Sequence, residues 1–258
     1  MGLDVCVSAI RPELDPDGSV PRFGLLALSS DLTSEGDIRR LLPGDAALHV
    51  SRVGFDNPTT PETLAGLAPR LAEAAELITP GVPLRALLFS CTSGSVVIGD
   101  GAVAAAMGKG RPETPVVTPV AAAMEALSAL GAQRIALLTP YLPETTRPMA
   151  AYFTERGLSL VAAECLGLAD DREMARVTPR TILDAAAAAD RPEAEALFIS
   201  CTALPALGQI DEIEARLGKP VVTSNQASAW LMLRHAGLAP APGAPGQLFA
   251  AAPTVIEA

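Results

Sequence analysis

One short pattern occurs twice in this chain, and it restricts the possible folds more than any other feature. Leu87 to Thr92 reads Leu-Leu-Phe-Ser-Cys-Thr, and Leu197 to Thr202 reads Leu-Phe-Ile-Ser-Cys-Thr. Each copy is a short apolar run, as expected of a buried strand, that ends at a thiol between two hydroxyls. Because open α/β sheets place their ligands beyond the carboxyl ends of the strands, we interpret Cys91 and Cys201 as active-site cysteines facing one small substrate.

Strand and helix patterns alternate along the chain, which indicates an α/β fold with parallel sheets and helical crossovers. Besides the two cysteine strands, the predicted strands are Phe23–Leu28, Leu48–Val53, Pro115–Thr118, Arg134–Tyr141 and Pro220–Thr223. One predicted helix begins after Thr33 or Ser34, and a second has its apolar face between Leu64 and Ala75. Three more are predicted at Ala102–Met107, Ala121–Leu130 and Gln226–His235.

The pattern restarts halfway along the chain. Cys201 lies 110 positions after Cys91, and the run from Arg134 to Tyr141 lies 110 positions after Gly24 to Asp31. Chance similarity among Val/Leu-rich strands would explain one shared string better than a common offset at two places. The repeat therefore predicts two lobes related by a pseudo-twofold axis, with the active site in the cleft between them.

Composition shifts suggest where the lobes begin and end. Residues 1–22 are rich in proline and acidic residues and are expected to form an N-terminal extension. Lobe 1 is predicted to comprise residues 23–118 plus 224–258, and lobe 2 residues 119–223. The Ala/Pro/Gly-rich tail after Leu238 is expected to be loosely packed.

The overall charge excludes some partners. A net charge of −10 and a pI near 4.7 argue against nucleic acid or an anionic membrane, which both require basic patches. No apolar run approaches the ~20 residues of a membrane-spanning helix, and the first ten residues lack a basic region typical of a signal peptide. We therefore expect a cytoplasmic protein that forms a homo-oligomer and binds a small molecule.

The four cysteines are more consistent with catalysis than with a disulfide or a metal. They form no CxxC pair, and neither His49 nor His235 lies near one in sequence, so no metal site is expected. A lone cysteine in an apolar strand is usually an inert core residue, which is our interpretation of Cys6 and Cys165. Cys91 and Cys201 differ from such core cysteines because both lie in the duplicated Ser-Cys-Thr motif.

Two facing thiols can divide a proton transfer between them. One thiolate can abstract a proton or add to an activated carbon, while the opposite thiol donates a proton from the other face. Thr92 and Ser93 supply hydroxyls, and Gly94 permits close backbone approach, so this turn suits a substrate carboxylate or an enediolate. Tyr141, in the corresponding loop of the second half, is a candidate substrate contact through its phenol; the alternative is a residue at the rim.

Sequence patterns for common cofactors are incomplete. Gly99-Asp100-Gly101 and Gly108-Lys109-Gly110 form neither a dinucleotide fingerprint nor a phosphate loop. The only lysines, Lys109 and Lys219, lie in turns flanked by glycine or proline, which argues against a pyridoxal Schiff base. We therefore expect chemistry without a cofactor.

The two cysteine motifs, together with Thr139-Pro140-Tyr141, resemble the aspartate/glutamate racemase superfamily and, within it, the maleate cis–trans isomerase and arylmalonate decarboxylase group. The likeness runs from about Gly24 to Leu238. Four longer strings are similar to the EutA group of ectoine-utilisation proteins: Asp31–Glu35, Ser95–Asp100, Tyr141–Pro148 and Leu166–Glu173.

The resemblance implies two Rossmann-like lobes and no cofactor. It implies that Cys91 attacks the substrate, that Cys201 handles the proton, and that the decarboxylases keep only the second cysteine. It places the family's tyrosine at Tyr141 and the carboxylate-binding hydroxyls at Thr92, Ser93 and Thr202.

One departure from this resemblance bears on the substrate. Maleate isomerases have Ser-Ser-Asn where this chain has Ser29-Ser30-Asp31, so Ser30 and Asp31 are expected at the substrate. A carboxylate in place of an amide would repel a second substrate carboxylate. An amine-bearing monoacid, such as a diaminobutyrate derivative from ectoine breakdown, would suit Asp31 better.

Three other functions compete with the racemase or isomerase. A bilobal α/β body also describes non-catalytic small-molecule binding proteins. An arylmalonate-type decarboxylase is a further alternative. A thiol hydrolase is not supported, because neither histidine lies in a recognisable partner motif.

Overall fold

The computed structural model describes residues 3–16 and 18–251, and within them eight strands form two parallel sheets of four. The first sheet, in the order β2-β1-β3-β4, contains β1 (Arg22–Leu28), β2 (Ala47–Val53), β3 (Ala86–Ser90) and β4 (Val116–Val117). The second, in the order β6-β5-β7-β8, contains β5 (Arg134–Thr139), β6 (Ser159–Cys165), β7 (Ala196–Ile199) and β8 (Val221–Thr223). The predicted α/β fold of two similar lobes is therefore confirmed.

Helices flank both sheets. The first half contains α1 (Ser34–Leu41), α2 (Pro61–Ala65), α3 (Leu71–Glu76), α4 (Thr92–Ile98), α5 (Asp100–Gly110) and α6 (Pro119–Ala129). The second half contains α7 (Pro143–Glu155), α8 (Asp171–Met174), α9 (Pro179–Ala189), α10 (Ile210–Leu217), α11 (Ser224–Ala236) and α12 (Gln247–Ala251). None of the described helices is long and apolar enough to cross a membrane.

The central strands of both sheets are covered on both faces, which explains their continuous apolar sequences. Every residue of β3 and β7 is buried, as are all residues of β1 after Arg22. Parallel strands covered by helices on both sides favour this composition over a strict alternation of polar and apolar residues. The two cysteines thus follow the most deeply buried strand of each sheet.

The strand registers show that the offset between the two halves is not the same for every strand. Phe23 pairs with Ala86 in the first sheet, whereas Ile135 pairs with Ala196 in the second. The first strands of the two halves therefore correspond at an offset of 112 residues, two more than the offset between the cysteines. By this register Tyr141 corresponds to Ser29 and not to Asp31.

Two sequence-based expectations about local structure were incomplete. The apolar face from Leu64 to Ala75 is not one helix, because the 3-10 turn Ala68–Arg70, which contains Pro69, separates α2 from α3. The tail after Leu238 is not loosely packed over residues 239–251. Leu248 is fully buried, and Gln226 donates a hydrogen bond from Nε2 to the Pro245 carbonyl at 2.8 Å.

The helix that follows the last strand of each half connects the lobes. Helix α11 follows the second sheet but packs against α1, α6 and strand β3 of the first. Helix α6 follows the first sheet and also contacts β8 of the second. The division at residues 118 and 223 remains a prediction, as does the extension over residues 1–22. Residues 3–16 and 18–21 contain no helix or strand, and Leu3, Val5 and Val7 are exposed.

A buried carboxylate contributes to the contact between α1 and α11. Asn225 on α11 donates from Nδ2 to Asp37 Oδ2 at 2.8 Å and to the Thr202 carbonyl at 2.9 Å. Burial raises the pKa of Asp37 to about 6, although the bond from Asn225 lowers it. The folded chain therefore holds this proton more tightly than the unfolded chain.

We expect the free energy of unfolding to fall as the pH rises from about 4 to about 6, by up to roughly 3 kcal/mol from this group. Asp37→Asn removes the burial cost and keeps an oxygen for Asn225, so it should be more stable than the wild type at pH 8 and similar to it at pH 4. Urea unfolding at both pH values tests this. The exposed Asp45→Asn is the control, and an equal difference at both pH values would contradict the expectation.

Candidate active site

The two predicted cysteines lie at equivalent places in the fold. Cys91 directly follows β3, and Cys201 comes two residues after β7, at the carboxyl end of a central strand in each sheet. Both are free thiols and both are almost closed to solvent, with 4% and 6% of their surfaces exposed. Their surroundings decide whether they are core residues or functional groups.

Cys91 is the N-cap of α4. Its Sγ accepts a hydrogen bond from the Gly94 N–H at 3.2 Å and lies 3.8 Å from the Ser93 hydroxyl. Within the described residues, the buried N–H groups of Thr92 and Ser93 have no hydrogen-bond partner. Unpaired N–H groups at a helix N-terminus favour an anion, so this turn can bind a carboxylate or a developing oxyanion.

Cys201 lies in a different local structure, without a helix directly after it. Its φ is +100°, a conformation that is strained for a residue with a side chain. The Ser224 hydroxyl accepts the Cys201 N–H at 3.0 Å, and the Met174 sulfur lies 3.9 Å from Sγ. The N–H groups of Ala203 and Leu204 lower the pKa of the thiol, so they face the sulfur.

Tyr141 links the two cysteines. Its hydroxyl lies 3.4 Å from Ser200 Oγ, and the ring is buried. Burial raises the pKa of the phenol well above its usual value, and negative charge on Cys201 or Cys91 raises it further. Both sulfurs therefore lie within electrostatic range of one hydroxyl, although they belong to different lobes.

A carboxylate from the second lobe lies within electrostatic range of both thiols, on the helix whose Met174 contacts Cys201. Asp171, the first residue of α8, is 4% exposed and accepts hydrogen bonds from Ser30 Oγ at 2.7 Å and Thr59 Oγ1 at 3.3 Å. Its backbone N–H donates to Asn57 Oδ1 at 3.2 Å. All three partners belong to lobe 1, so Asp171 connects the lobes beside the cysteines.

Asp31 supplies a second buried carboxylate on the Cys91 side. Its Oδ1 accepts the Thr33 and Ser34 N–H groups, both at 2.9 Å, and so holds the start of α1. Its Oδ2 accepts no hydrogen bond within the described part of the chain. Burial raises the pKa of Asp31 and of Asp171, and the charge of Asp31 also raises that of Asp171.

Burial, together with the charge of Asp171, favours the protonated form of both thiols. Burial and then the charge of Asp171 raise the pKa of the Cys91 thiol to about 12, against the Gly94 N–H, which lowers it. The same two causes, in the same order, raise the pKa of Cys201 well above its usual range. A thiolate can form at neutral pH only when something offsets this negative charge.

The remaining predicted contacts fall into two groups. Ser30 and Ser93 lie beside Asp171 and Cys91, respectively. The Thr92 hydroxyl donates to Ser224 Oγ at 2.9 Å, and the Thr202 hydroxyl donates to the Ser90 carbonyl at 3.1 Å. Both threonine protons are therefore used in hydrogen bonds within the protein, and their substrate-binding role remains a prediction.

Sequence reasoning missed Asp171 and Ser224 as members of this site. Asp171 lies within Leu166–Glu173, a string that carried the family resemblance, but nothing in its local pattern predicted burial beside the cysteines. Ser224 follows the predicted strand Pro220–Thr223. Its hydroxyl contacts both Thr92 and the Cys201 N–H, so it joins the two motifs.

An open depression leads towards the site. It has a volume of about 390 Å³ and is lined by Ser29, Ser30, Phe55, Asp56, Asn57 and Arg172. Ser30 and Asn57 both hydrogen-bond to Asp171, which places this depression outside the contact that covers the thiols. In the described ranges, no group of three or more His, Cys, Asp or Glu side chains is arranged to hold a metal ion.

Two thiols at the carboxyl ends of paired α/β lobes define a bilobal enzyme of the cysteine-dependent class. Residues 64–249 match the family model of arylmalonate decarboxylase. The maleate isomerase of Nocardia farcinica is 30% identical over 242 residues, which cover 89% of this chain and 96% of that protein. The chain therefore belongs to the arylmalonate decarboxylase family, and the predicted enzyme class, an isomerase of this superfamily, is confirmed.

Solved structures of relatives agree with this assignment. A mutant of the Nocardia farcinica maleate cis–trans isomerase with a covalently bound succinylcysteine intermediate has a TM-score of 0.80 and 28% identity, over 90% of this chain and 98% of that one. A double mutant of arylmalonate decarboxylase in the liganded form has a TM-score of 0.80 and 30% identity, over 89% and 99%. The particular likeness to the EutA group remains a prediction.

The contact between Gly94 and Cys91 provides a test of the site geometry. A Cβ at position 94 would lie 2.9 Å from the Cys91 sulfur, so Gly94→Ala must displace the thiol while keeping the N–H. We expect kcat to fall on the order of a hundredfold, with a loss of stability of about 1–3 kcal/mol because the added methyl also lies 3.3 Å from the Phe89 ring. Gly101→Ala, where a Cβ meets nothing within 4 Å, is the control. Full activity in Gly94→Ala would contradict the assigned position of the thiol.

Proposed function

We propose that this chain is a cofactor-independent racemase or isomerase that acts on a small amine-bearing carboxylic acid through Cys91 and Cys201. The observation that carries the proposal is the shared surroundings of the two thiols. They come from separate lobes, yet both lie within electrostatic range of Tyr141 and of Asp171. One small substrate in this space would meet a thiol on each side.

The N-terminus of α4 is the proposed site of the substrate carboxylate. The unpaired N–H groups of Thr92 and Ser93 can donate to its oxygens, and Tyr141 can add a phenol hydrogen bond. The same donors would stabilise the enediolate that forms when the neighbouring carbon loses its proton, because negative charge then moves onto those oxygens.

The proposed chemical step is a transfer of two protons on opposite faces of one carbon. One cysteine, as thiolate, removes the proton next to the carboxylate and becomes a thiol. The opposite thiol then gives its own proton to the other face and becomes a thiolate. The electron pair left by the first proton is held as the enediolate between these events, so the atoms and charges balance and no oxidant or reductant is needed.

Charge in the site favours an amine-bearing substrate over a dicarboxylate. Asp31 lies where maleate isomerases have an asparagine, and its unbonded oxygen can accept hydrogen bonds from an ammonium group. A saturated amino acid has no double bond to which a thiol could add, so racemisation fits such a substrate better than cis–trans isomerisation. Together with the resemblance to the EutA group, this supports acetylated diaminobutyrate as the substrate, in ectoine breakdown.

The proton-transfer step is tested by isotope exchange. Enzyme is incubated in deuterated water with a panel of short amino and hydroxy acids and both acetyl-diaminobutyrate isomers, and NMR reports deuterium at the carbon next to the carboxylate. Cys91→Ser and Cys201→Ser should each lower turnover by about 10²- to 10⁴-fold, because a hydroxyl replaces the acid–base group. Unchanged unfolding curves show that the variants remain folded.

Cys6→Ser is the matched control, since this cysteine is exposed and lies in the N-terminal segment before the first strand. Loss of exchange in the control as well would contradict the assigned roles. Binding of a ligand that remains unchanged in deuterated water would instead support the alternative, a non-catalytic small-molecule binder.

The role of Asp31 is tested with maleate and the acetyl-diaminobutyrate isomers. We expect the wild type to turn over an amine-bearing isomer and not maleate. Asp31→Asn should lower turnover of the amine-bearing substrate by roughly 10- to 100-fold, because a hydrogen bond to a charged group is lost. Its Oδ1 can still hold the start of α1. Robust turnover of maleate by the wild type would contradict the proposed substrate class.

A decarboxylase is the second candidate, because the matching family model bears that name. By the resemblance, decarboxylases keep only the second cysteine, whereas this chain has both. Release of carbon dioxide from an arylmalonate that survives Cys91→Ser but not Cys201→Ser would favour this candidate.

A further inference from the structure

The site contains more buried negative charge than the proposed proton transfer requires. Asp171 takes no part in holding α1, as Asp31 does, and no step described above uses it. It is nevertheless fixed by two side-chain hydroxyls and one side-chain amide of the opposite lobe. Its charge raises the pKa of both thiols, and a positively charged ligand could offset that charge.

The chain itself does not supply that partner. The hydroxyls of Ser30 and Thr59 donate to the two oxygens of Asp171, but among the described residues no lysine, arginine or histidine forms an ion pair with it. The neighbouring Arg172 pairs with Asp170 instead. A hydroxyl stabilises a carboxylate but does not neutralise it, so the charge beside the thiols remains.

Within the described chain, the start of α4, beside Cys91, lacks hydrogen-bond acceptors in the same way that Asp171 lacks a cation. The N–H groups of Thr92 and Ser93 are buried and, in the part of the chain that the structure describes, unpaired, although orphaned buried N–H groups are rare in proteins. Donors without acceptors at α4, and at Asp171 a carboxylate without an ion pair among the described residues, match a ligand that carries both charges. A zwitterionic amino acid has this distribution, and a dicarboxylate does not.

We propose that Asp171 is the specificity-determining residue of this site: with the Oδ2 of Asp31 it binds the ammonium group of a zwitterionic substrate and rejects a second carboxylate. This inference rests on the proposed function and extends it, because it assigns the amine to a subsite between the lobes. Since Ser30, Thr59 and Asn57 come from lobe 1, the ammonium binds at the contact that covers the thiols.

The subsite also connects substrate binding with the state of the thiols. The charge of Asp171 raises the pKa of Cys91 and Cys201, and an ammonium group beside it would offset that charge. The groups that face Cys91 are Asp171, Asp31, Tyr141, the Ser93 hydroxyl and the Gly94 N–H. Of these, only the carboxylates carry charge at neutral pH, so an ammonium ligand favours the reactive thiolate.

Three ligands with one carbon skeleton isolate the charge. 2-Aminobutyrate, 2-hydroxybutyrate and ethylmalonate differ only in an ammonium, a hydroxyl or a carboxylate beside the common carboxylate. Calorimetry on the full chain should show that the wild type prefers 2-aminobutyrate. Asp171→Asn should lower the affinity for 2-aminobutyrate by roughly 10- to 100-fold, leave the affinity for 2-hydroxybutyrate nearly unchanged and raise the affinity for ethylmalonate. Asp170→Asn, one residue away and outside the site, should bind all three as the wild type does.

A second measurement separates this role from a structural one. Alkylation of Cys91 by iodoacetamide, followed by peptide mass analysis across pH, should accelerate at lower pH in Asp171→Asn than in the wild type. The amide introduced by this substitution would keep a hydrogen-bonding oxygen for Ser30, and an unfolding curve checks that the variant is folded. Thr59→Val is the control for packing, because it removes a hydrogen bond from the same contact but keeps the Asp171 carboxylate. Its profile should stay at the wild-type pH, and an equal shift in both variants would overturn the assigned role of the charge.

The outcomes distinguish this proposal from the one on which it rests. Ligand preference is measured without turnover, so absent proton exchange with ammonium selectivity intact would overturn the proposed racemase and retain the subsite. Equal binding of 2-aminobutyrate and ethylmalonate by the wild type would overturn the subsite, as would an Asp171→Asn variant with unchanged preference.

Discussion

The hydrogen bonds between the two Ser-Cys-Thr turns are the constraint on which the site depends. Thr92 donates to Ser224, which in turn accepts the Cys201 N–H, and Thr202 donates to the Ser90 carbonyl. Each bond joins one cysteine turn to the opposite lobe or to the start of α11. The positions of the two sulfurs are therefore fixed by backbone and short side chains at strand ends, which are among the most rigid parts of an α/β fold.

Burial makes that rigid arrangement electrostatically costly. Two thiols and two carboxylates are removed from water, and although Arg52 donates to the Asp31 carbonyl, every resulting pKa shift favours the neutral form. Such a site is stable as long as the thiols keep their protons. The energy needed to form a thiolate must then come from the ligand, which couples reactivity to substrate charge and limits unwanted oxidation of the empty enzyme.

Much of this structure could be predicted from sequence because the informative patterns are local. Apolar runs predicted all the strands except β6, an edge strand of mixed burial, and the duplicated motif located both cysteines and Tyr141. Helices were not predicted at α4, α7, α8, α9, α10 and α12, and in α7 the internal Pro148 normally argues against a helix. The place of Asp171 was beyond such reasoning, because its contact with Ser30 joins residues 141 positions apart and exists only once the lobes pack.

Duplication accounts for what is symmetric in this site, and divergence accounts for what is not. Proton transfer on two faces of one carbon needs two opposed groups of the same kind, which repeated strands supply. A substrate must also be held in one orientation, so the groups around the thiols have to differ. Cys91 caps a helix with unpaired donors, whereas Cys201 lies on a strained turn. The two-residue change in offset makes Tyr141 the counterpart of Ser29 and not of Asp31. The asymmetric shell thus defines a single binding mode, while the symmetric pair of sulfurs provides chemistry on both faces.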